Sequence, residues 1–479
     1  MKKYETVIGL EVHVELATKT KIFCGCSTAF GARPNAHTCP VCTGMPGALP
    51  VLNRQVVEYA AAVGLATGCA IGSYSMFDRK NYFYPDNPQN YQISQLYQPL
   101  CRNGSVEIET QQGLKVIGIH EIHMEEDAGK LIHDESEEVS YVDYNRAGVP
   151  LIEIVSEPDM RSAQEVIAYL EKLRMIIRYL GASDCKLQEG SMRADVNLSV
   201  REVGTAAYGT RTEMKNLNSF KAITRAIDHE RNRQIKLLES GRKVVQETRR
   251  WDDGKGDSYA MRSKEDAQDY RYFPEPDLVP IAVSAQWLDA IRARQPELRD
   301  ERKQRYKKQY GLSDYDADII TGSKRVADIF EAASDICQQP KKVSNWLMGE
   351  TMRLLKESGQ DPDTLILDPE KLAKIVRLAD SGVLMNTAAK EVFAQVFRND
   401  TDPEQYMEEK GLKTVSDEGT LKRVIEQVIK DNPQSVEDYR GGKQKAIGFL
   451  VGQTMKATQG KANPGLVSRI LKELIGIVH

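Results

Sequence analysis

Apolar and polar residues alternate along the first stretch of the chain. Ile8, Leu10, Val12, Val14 and Leu16 fall on one side; Gly9, Glu11, His13 and Glu15 fall on the other. Successive side chains of a β-strand point to opposite faces, so this segment predicts a strand with one apolar face and one face of two carboxylates and an imidazole. The pattern recurs. Over Ile119–Asp127, Glu121, His123, Glu125 and Asp127 share a face opposite Ile122 and Met124. Over Arg193–Val200, Arg193, Asp195, Asn197 and Ser199 alternate with Ala194, Val196, Leu198 and Val200; over Arg211–Lys215, Arg211, Glu213 and Lys215 share a face. An antiparallel sheet with a solvated outer face gives the same alternation. Solvated faces usually mix Lys, Thr, Ser and Gln, whereas these carry short acids, His, Asn and Arg, groups suited to divalent metal and phosphate.

A period near 3.6 marks the helices. Ala163–Leu180 carries Val166, Ile167, Leu170, Leu173, Ile176 and Ile177 on one stripe, and Ser219–Leu238 is a polar, Arg-rich helix. The proline-dense Phe273–Pro280 segment is expected to mark the end of the β-rich domain, and from Pro296 onward the texture is helical. Asp368 and Asn463, each followed by proline, read as N-caps with Pro at the first helical position. Asn399–Pro403 reads as a hinge, and Leu421, Val424, Ile425, Val428 and Ile429 form an amphipathic stripe beyond it.

Length adds a domain count: 479 residues predict about three domains. A net charge of −4 excludes a globally basic nucleic-acid coat, so any RNA contact must come from a local patch. No apolar run reaches membrane-helix length, and Met1–Thr6 has no apolar core of signal-peptide length. A cytoplasmic, reducing setting is the expectation.

If the four alternating strands are neighbours, Glu11, His13, Glu125 and Asp195 converge on one divalent ion. Crowded carboxylates raise one another's pKa, and a cation removes that conflict. Phosphoryl transfer is the chemistry such a site suits, with Mg²⁺ and Arg or Lys groups on the ATP γ-phosphate. Arg193, Asp195 and Lys130 are the candidate cofactor contacts. The chain has neither G-x-x-x-x-G-K-[ST] nor G-x-G-x-x-G, and Gly129-Lys130 alone is no phosphate loop. ATP would therefore be held on an open sheet.

Four of the eight cysteines cluster. Cys24 and Cys26 are separated by twelve residues from the pair Cys39 and Cys42. Four thiolates at this spacing suit a closed, tetrahedral structural Zn²⁺, which would order a loop that has no periodic core of its own. Redox or empty thiols are the alternative. Cys69, Cys101, Cys185 and Cys337 are isolated and read as small core residues. No Ser-Ser-Lys amidase arrangement, glutamine-hydrolysing cysteine motif or nucleophile elbow is found, so if the reaction consumes ammonia another chain must release it.

Beyond these patterns, long blocks resemble the family of B subunits of the aspartyl/glutamyl-tRNA(Asn/Gln) amidotransferases. The blocks are Tyr4–Leu16, Asp78–Pro88, His123–Lys130, Pro150–Asp159, Glu189–Asn197, Lys215–Phe220, Asp269–Asp277, Ser435–Tyr439 and Gly448–Gln453. The resemblance implies an α+β fold. A glutamine-synthetase-like cradle with an antiparallel sheet and flanking helices would span residues 1–293, an all-α helical domain 294–402, and a small helical tail domain 403–479. It implies ATP- and Mg²⁺-dependent phosphorylation of the side-chain carboxylate of Glu-tRNA(Gln) or Asp-tRNA(Asn), then amidation by ammonia from a glutaminase. The partners implied are the amidase (the A subunit), the small C subunit, and the misacylated tRNA, in a heterotrimer. The cognate non-discriminating aminoacyl-tRNA synthetase is a further candidate partner.

The family's Mg²⁺ positions fall on Glu11, His13 and Glu125, with Glu126 and Asp195 beside them, and Lys80 would serve the phosphorylation or tunnel end. The cysteines place the chain with zinc-bearing relatives. In the tail, Lys443, Lys445, Lys456, Lys461, Arg469 and Lys472 face one acid, Glu473. A solvated helix surface is the plain reading; the resemblance makes these residues a tRNA phosphate contact. Two other classes stay open: a free-standing ligase acting on a small carboxylate, and a non-catalytic zinc RNA-binding scaffold.

Overall fold

The alternating segments do become strands, and they lie side by side. The computed structural model describes residues 3–134, 138–263, 270–414, 417–458 and 460–476. Asp269, and Met1–Lys2 and Ile477–His479 at the expected domain ends, lie outside the described residues. Nine strands form one sheet: β1 (Tyr4–Glu15), β2 (Ala70–Ile71), β3 (Cys101–Thr110), β4 (Gly113–Glu126), β5 (Pro150–Ser156), β6 (Met192–Glu202), β7 (Thr212–Lys215), β8 (Glu247–Asp252) and β9 (Asp257–Ser263). Their spatial order is β9-β8-β7-β6-β1-β5-β4-β3-β2, so β1 sits at the centre between β6 and β5.

Every neighbouring pair is antiparallel except β7 and β8, which run parallel. The fully antiparallel expectation fails there for a topological reason. A long helix, Phe220–Glu239, lies between those two strands in the chain, and a crossover of that length returns the chain in the same direction.

Helices α1 (Arg54–Ala66), α2 (Ala163–Tyr179) and α3 (Phe220–Glu239) bury the apolar face. Ile8, Leu10, Val12 and Val14 are at most 1% exposed and share one core with Leu170, Leu173 and Ile177 of α2 and Ile223 and Ile227 of α3. Ser162 and Ser219 cap α2 and α3, each side chain accepting a backbone N–H of the first turn. With the apolar face covered in this way, the alternation sends the acids and imidazoles to the opposite face.

A three-stranded sheet of Asp78–Asn81, Tyr91–Ser94 and Phe273–Pro274 lies beside this framework. A hairpin of Lys130–Asp134 with Val139–Asp143 follows β4. The proline-dense segment does not end the unit. A further helix, Ala285–Ala293, returns to α1, where Trp287 Nε1 donates to Glu58 at 3.0 Å, and the compact unit closes at Leu298.

Residues from Arg299 onward form a second compact unit, built of helices. It holds two separate apolar cores, one from Tyr306 to Met407 and one from Leu421 to Ile475. Asp368 accepts the Glu370 N–H and Asn463 the Gly465 and Leu466 N–H groups, with Pro369 and Pro464 at the first helical position as their spacing predicts. Asp402 caps the short helix Pro403–Glu409, whose Met407 still belongs to the first of these cores, beyond the break expected after Asp402.

Candidate functional site

The ladder registers assemble the polar face row by row. His13 stands opposite Arg193 on β6 and Glu153 on β5, and Glu153 stands opposite His123 on β4. Glu11 stands opposite Asp195. One row further on, β7 brings Glu213 opposite Asn197. Residues scattered from Glu11 to Glu213 thus meet on one surface because they share one side of the pleat.

Two ligand sets form there. In the first, the ligand atoms of His13, Glu125 and Glu153 lie within 4.8 Å of one another. His13 Nε2 is 3.5 Å from Glu125 and 3.4 Å from Glu153. In the second, Glu11, Asp195 and Glu213 meet within the same limit. Asn197 Nδ2 donates to Glu11 at 2.9 Å, and Lys215 Nζ bridges Asp195 at 2.5 Å and Glu213 at 2.7 Å. The single ion expected for Glu11, His13, Glu125 and Asp195 thus gives way to two neighbouring sets. Glu11 and His13 stand two residues apart along β1, and each pairs with different strand neighbours.

The electrostatics record the crowding. Burial raises the Glu11 carboxyl above its usual range, and the charges of Glu153 and Glu213 push it further. Burial opposes protonation of His13 and His123, but Glu153 together with the neighbouring carboxylates, Glu125 among them, outweighs it, and His123 is pushed up to about 10. Glu153, despite its burial, is held well below the usual carboxylate range by His123 and His13. Glu15 is pushed up to about 8 by burial and by Asp127. Oxygen and imidazole donors suit a hard divalent ion, and such an ion would relieve the repulsion that raises Glu11.

Other predicted residues take different places. Glu126 points to the opposite side of β4 from Glu125, because consecutive strand residues cannot share a face. Its carboxylate accepts the Ile93 N–H at 2.9 Å and Gln89 Nε2 at 2.8 Å, and burial pushes it up to about 8. Ser94 of the small sheet donates to Glu125 at 3.2 Å. Lys80 belongs to that small sheet, with Nζ 4.9 Å from the Tyr270 ring centroid and 6.0 Å from that of Tyr82. Arg193 is tied to Asp127 at 2.8 Å. Lys130 is exposed on the hairpin, off the large sheet. Glu153 and Glu213 complete the two sets, and neither stands out as a ligand from the sequence. Glu153 is a lone acid in the apolar run Leu151–Val155, and Glu213 shares the period-two face with Lys215.

The four cysteines come together on a loop without helix or strand. Their sulfurs lie within 4.8 Å of one another, with Cys39 and Cys42 3.9 Å apart, and none forms a disulfide. Zn–S bonds of about 2.3 Å in a tetrahedron set sulfurs about 3.8 Å apart, so the donor set fits that ion. Cys42 is held down to about 4, chiefly by the hydrogen bond from Cys24 and, beyond that, by the Cys39 backbone N–H and Lys21.

In the tail, Lys443 pairs with Asp438 at 2.9 Å and Arg469 with Glu418. Lys445, Lys456, Lys461 and Lys472 make no ion pair among the described residues.

Comparison with known proteins places the chain. Residues 6–289 match the family model of the GatB/GatE catalytic domain, and residues 328–475 match that of the GatB domain. The chain is 73% identical over 475 residues to the B subunit of the aspartyl/glutamyl-tRNA(Asn/Gln) amidotransferase of Agathobacter rectalis, covering 99% of this chain and 100% of that protein. It is 69% identical over 482 residues to the same protein of Lachnospira eligens, covering 99% and 100%. That of Caldicellulosiruptor saccharolyticus is 57% identical over 474 residues, with 98% and 99% covered. On the catalytic-domain match and these nearly full-length likenesses, the chain belongs to the GatB family, the B subunits of the aspartyl/glutamyl-tRNA(Asn/Gln) amidotransferases.

Proposed function

We propose that this chain is the carboxylate-activating and amidating member of a tRNA-dependent amidotransferase, a carbon–nitrogen ligase with glutamine as the nitrogen donor. The side-chain carboxylate of Glu-tRNA(Gln), Asp-tRNA(Asn) or both takes the γ-phosphate of ATP and ADP leaves. Ammonia from a glutaminase partner then attacks the carbonyl carbon and phosphate leaves with the C–O bond. A free carboxylate is a poor electrophile, because its charge repels the nucleophile and oxide does not leave. Phosphorylation supplies the leaving group, and shielding the acyl phosphate from water keeps it for ammonia.

One observation carries this reading: two carboxylate-rich ligand sets side by side on one sheet face, His13–Glu125–Glu153 and Glu11–Asp195–Glu213. Each set would hold one Mg²⁺. When bound, the ions supply charge neutralisation on the phosphates and on the oxygen receiving the phosphoryl group. Lys215 already offers Asp195 and Glu213 a positive charge, and Asn197 orients Glu11. Arg193, fixed by Asp127, sets a cation beside His13 for the phosphate. Lys80 and Lys130 stand off the large sheet, and their proposed roles lie at the tunnel end and at the nucleotide's periphery.

The large sheet with its acidic face suits a glutamine-synthetase-like cradle over residues 1–293, followed by helical domains over 294–402 and 403–479. Zn²⁺ on Cys24, Cys26, Cys39 and Cys42 would be structural. The tail lysines would contact tRNA phosphates. The amidase and the small third protein of the assembly would complete a cytoplasmic heterotrimer, with the synthetase as a further partner. The test is the reconstituted assembly with ATP, glutamine and each misacylated tRNA. ADP release should depend on misacylated tRNA, and equal release with free glutamate would overturn the reading.

A further inference from the structure

The sulfur cluster leaves one buried neighbour unexplained. Lys21 is 0% exposed. Its Nζ lies 3.4 Å from Cys42 Sγ and donates to the Tyr144 carbonyl at 3.1 Å, and among the described residues no carboxylate pairs with it. An ammonium removed from water is costly unless an anion accompanies it. A backbone carbonyl contributes a dipole, not a charge. The Cys42 sulfur is therefore the group that must carry the compensating charge. The need is mutual, because four thiolates around one divalent zinc leave two negative charges uncompensated.

Lys21 also stands where the loop meets the rest of the unit. Its backbone N–H donates to Cys26 O at 2.9 Å, and the N–H of Ile22 donates to Gly148 O at 2.9 Å. The Tyr144–Gly148 stretch that Lys21 grips contains Arg146, which donates to Ala128 O at 3.0 Å and Gly129 O at 2.7 Å and lies 3.5 Å from Asp127. Asp127 in turn holds Arg193 of the acidic face.

We infer that Lys21 is the buried counter-cation of the four-sulfur centre. It positions Cys42, offsets part of the thiolate charge, and ties the centre through the Tyr144 carbonyl to the loop that steadies Asp127 and Arg193. This rests on the zinc reading above. Outer partners that hydrogen-bond a metal ligand are worth 10–100-fold in metal affinity.

The experiment compares zinc affinity of the full chain and of Lys21→Met, which keeps the length and removes the charge, by competition with a chromogenic chelator. Wild type should hold one zinc per chain, and the variant should bind it roughly 10–100-fold more weakly. In the Co²⁺-substituted chains, the sulfur-to-cobalt charge-transfer band should move to lower energy in Lys21→Met, because the sulfur loses its N–H donor. Equal affinity and an unmoved band would overturn the role of Lys21 and leave the zinc reading standing. A wild-type chain that takes up no zinc would overturn both. If Lys21→Met does not fold, Cys42→Ser and Cys26→Ser decide. Both delete a ligand, but only Cys42→Ser strands the ammonium, so it should lower Tm further; equal Tm values would overturn the inference.

Discussion

The acidic sheet face and the cysteine loop both gather metal-type ligands, and they do so by opposite means. On the face, the ligands come from five strands whose register is fixed by backbone ladders and by the apolar core on the other side. Moving any strand by one residue would turn its apolar side outward, so the carboxylates are held together whether or not an ion is present. Burial, and after it the repulsion of neighbouring carboxylates, keeps the Glu11 and Glu15 carboxyls raised. In the loop, the ligands lie within Cys24–Cys42, with no helix or strand and little apolar burial to hold them. There a metal would supply order itself. The face is preorganised by its ladders, whereas the loop would take its order from a bound metal, so removing ions should disable one and loosen the other.

The largest effect should come from the face. His13→Ala, Glu125→Ala or Glu153→Ala should each lower tRNA-dependent amidation by about 10³-fold, from several kcal/mol of lost charge stabilisation. The circular dichroism spectrum and the partner's glutaminase reaction should stay near wild type. Unfolding of these variants would break the contrast. Next, Glu213→Gln should raise the Mg²⁺ concentration needed for half-maximal activity by about 10–100-fold, with a smaller change in the rate at saturating Mg²⁺. A fall in rate that Mg²⁺ does not restore would remove Glu213 from the second set.

The loop should answer in stability. Cys26→Ser combined with Cys39→Ser should abolish zinc content and lower Tm by several degrees while leaving much of the activity, measured by calorimetry beside the amidation assay. Loss of activity with Tm unchanged would reverse the assignment of chemistry and structure between the two regions.

A pH titration separates them further. His123 titrates near 6.5 when unfolded and near 10 when folded. The folded state then binds more protons between these values, so the stability His123 contributes is complete below about pH 6.5 and is lost as pH rises through 10. The chain freed of divalent ions should show a Tm that falls across that window, with His123→Gln flattening the slope. A slope that persists unchanged in the variant would assign it to other groups. The smallest effect belongs to the tail. Each of Lys445, Lys456, Lys461 and Lys472 changed to Ala should reduce the salt slope of tRNA binding by about 1, whereas Lys443 and Arg469, paired to Asp438 and Glu418, should change it less. Identical slopes for all six would leave the tail without a phosphate contact.

Much of this contrast is visible in the residues, and what is not has physical causes. Alternation alone exposes β1, β4, β6 and β7 and the sides that carry their polar groups, because a half-buried strand must sort its residues by two. The cysteine spacing is equally legible. The order of the strands is not, because pairing is settled by contacts between distant segments. One shared ion therefore becomes two sets only once Asp195 and Glu213 are seen beside Glu11. Glu153 escapes notice because its strand is apolar at nearly every position and shows no alternation to read. Glu126 is a different case: the likeness to the family's motif groups it with Glu125, whereas the period of two sets it on the opposite side of the strand. The parallel pairing of β7 and β8 follows from the α3 crossover, which the helix stripe predicts without stating where the chain returns.

The claim on which the rest depends is that the sheet face holds two cation sites built from different strands. Mn²⁺ titration of the full chain, followed by electron paramagnetic resonance, tests it directly. Two Mn²⁺ per chain with spin coupling are expected in the wild type. Glu153→Gln should lose one site and Glu213→Gln the other, each leaving a single uncoupled ion. One Mn²⁺ per chain, lost equally in both variants, would contradict the account.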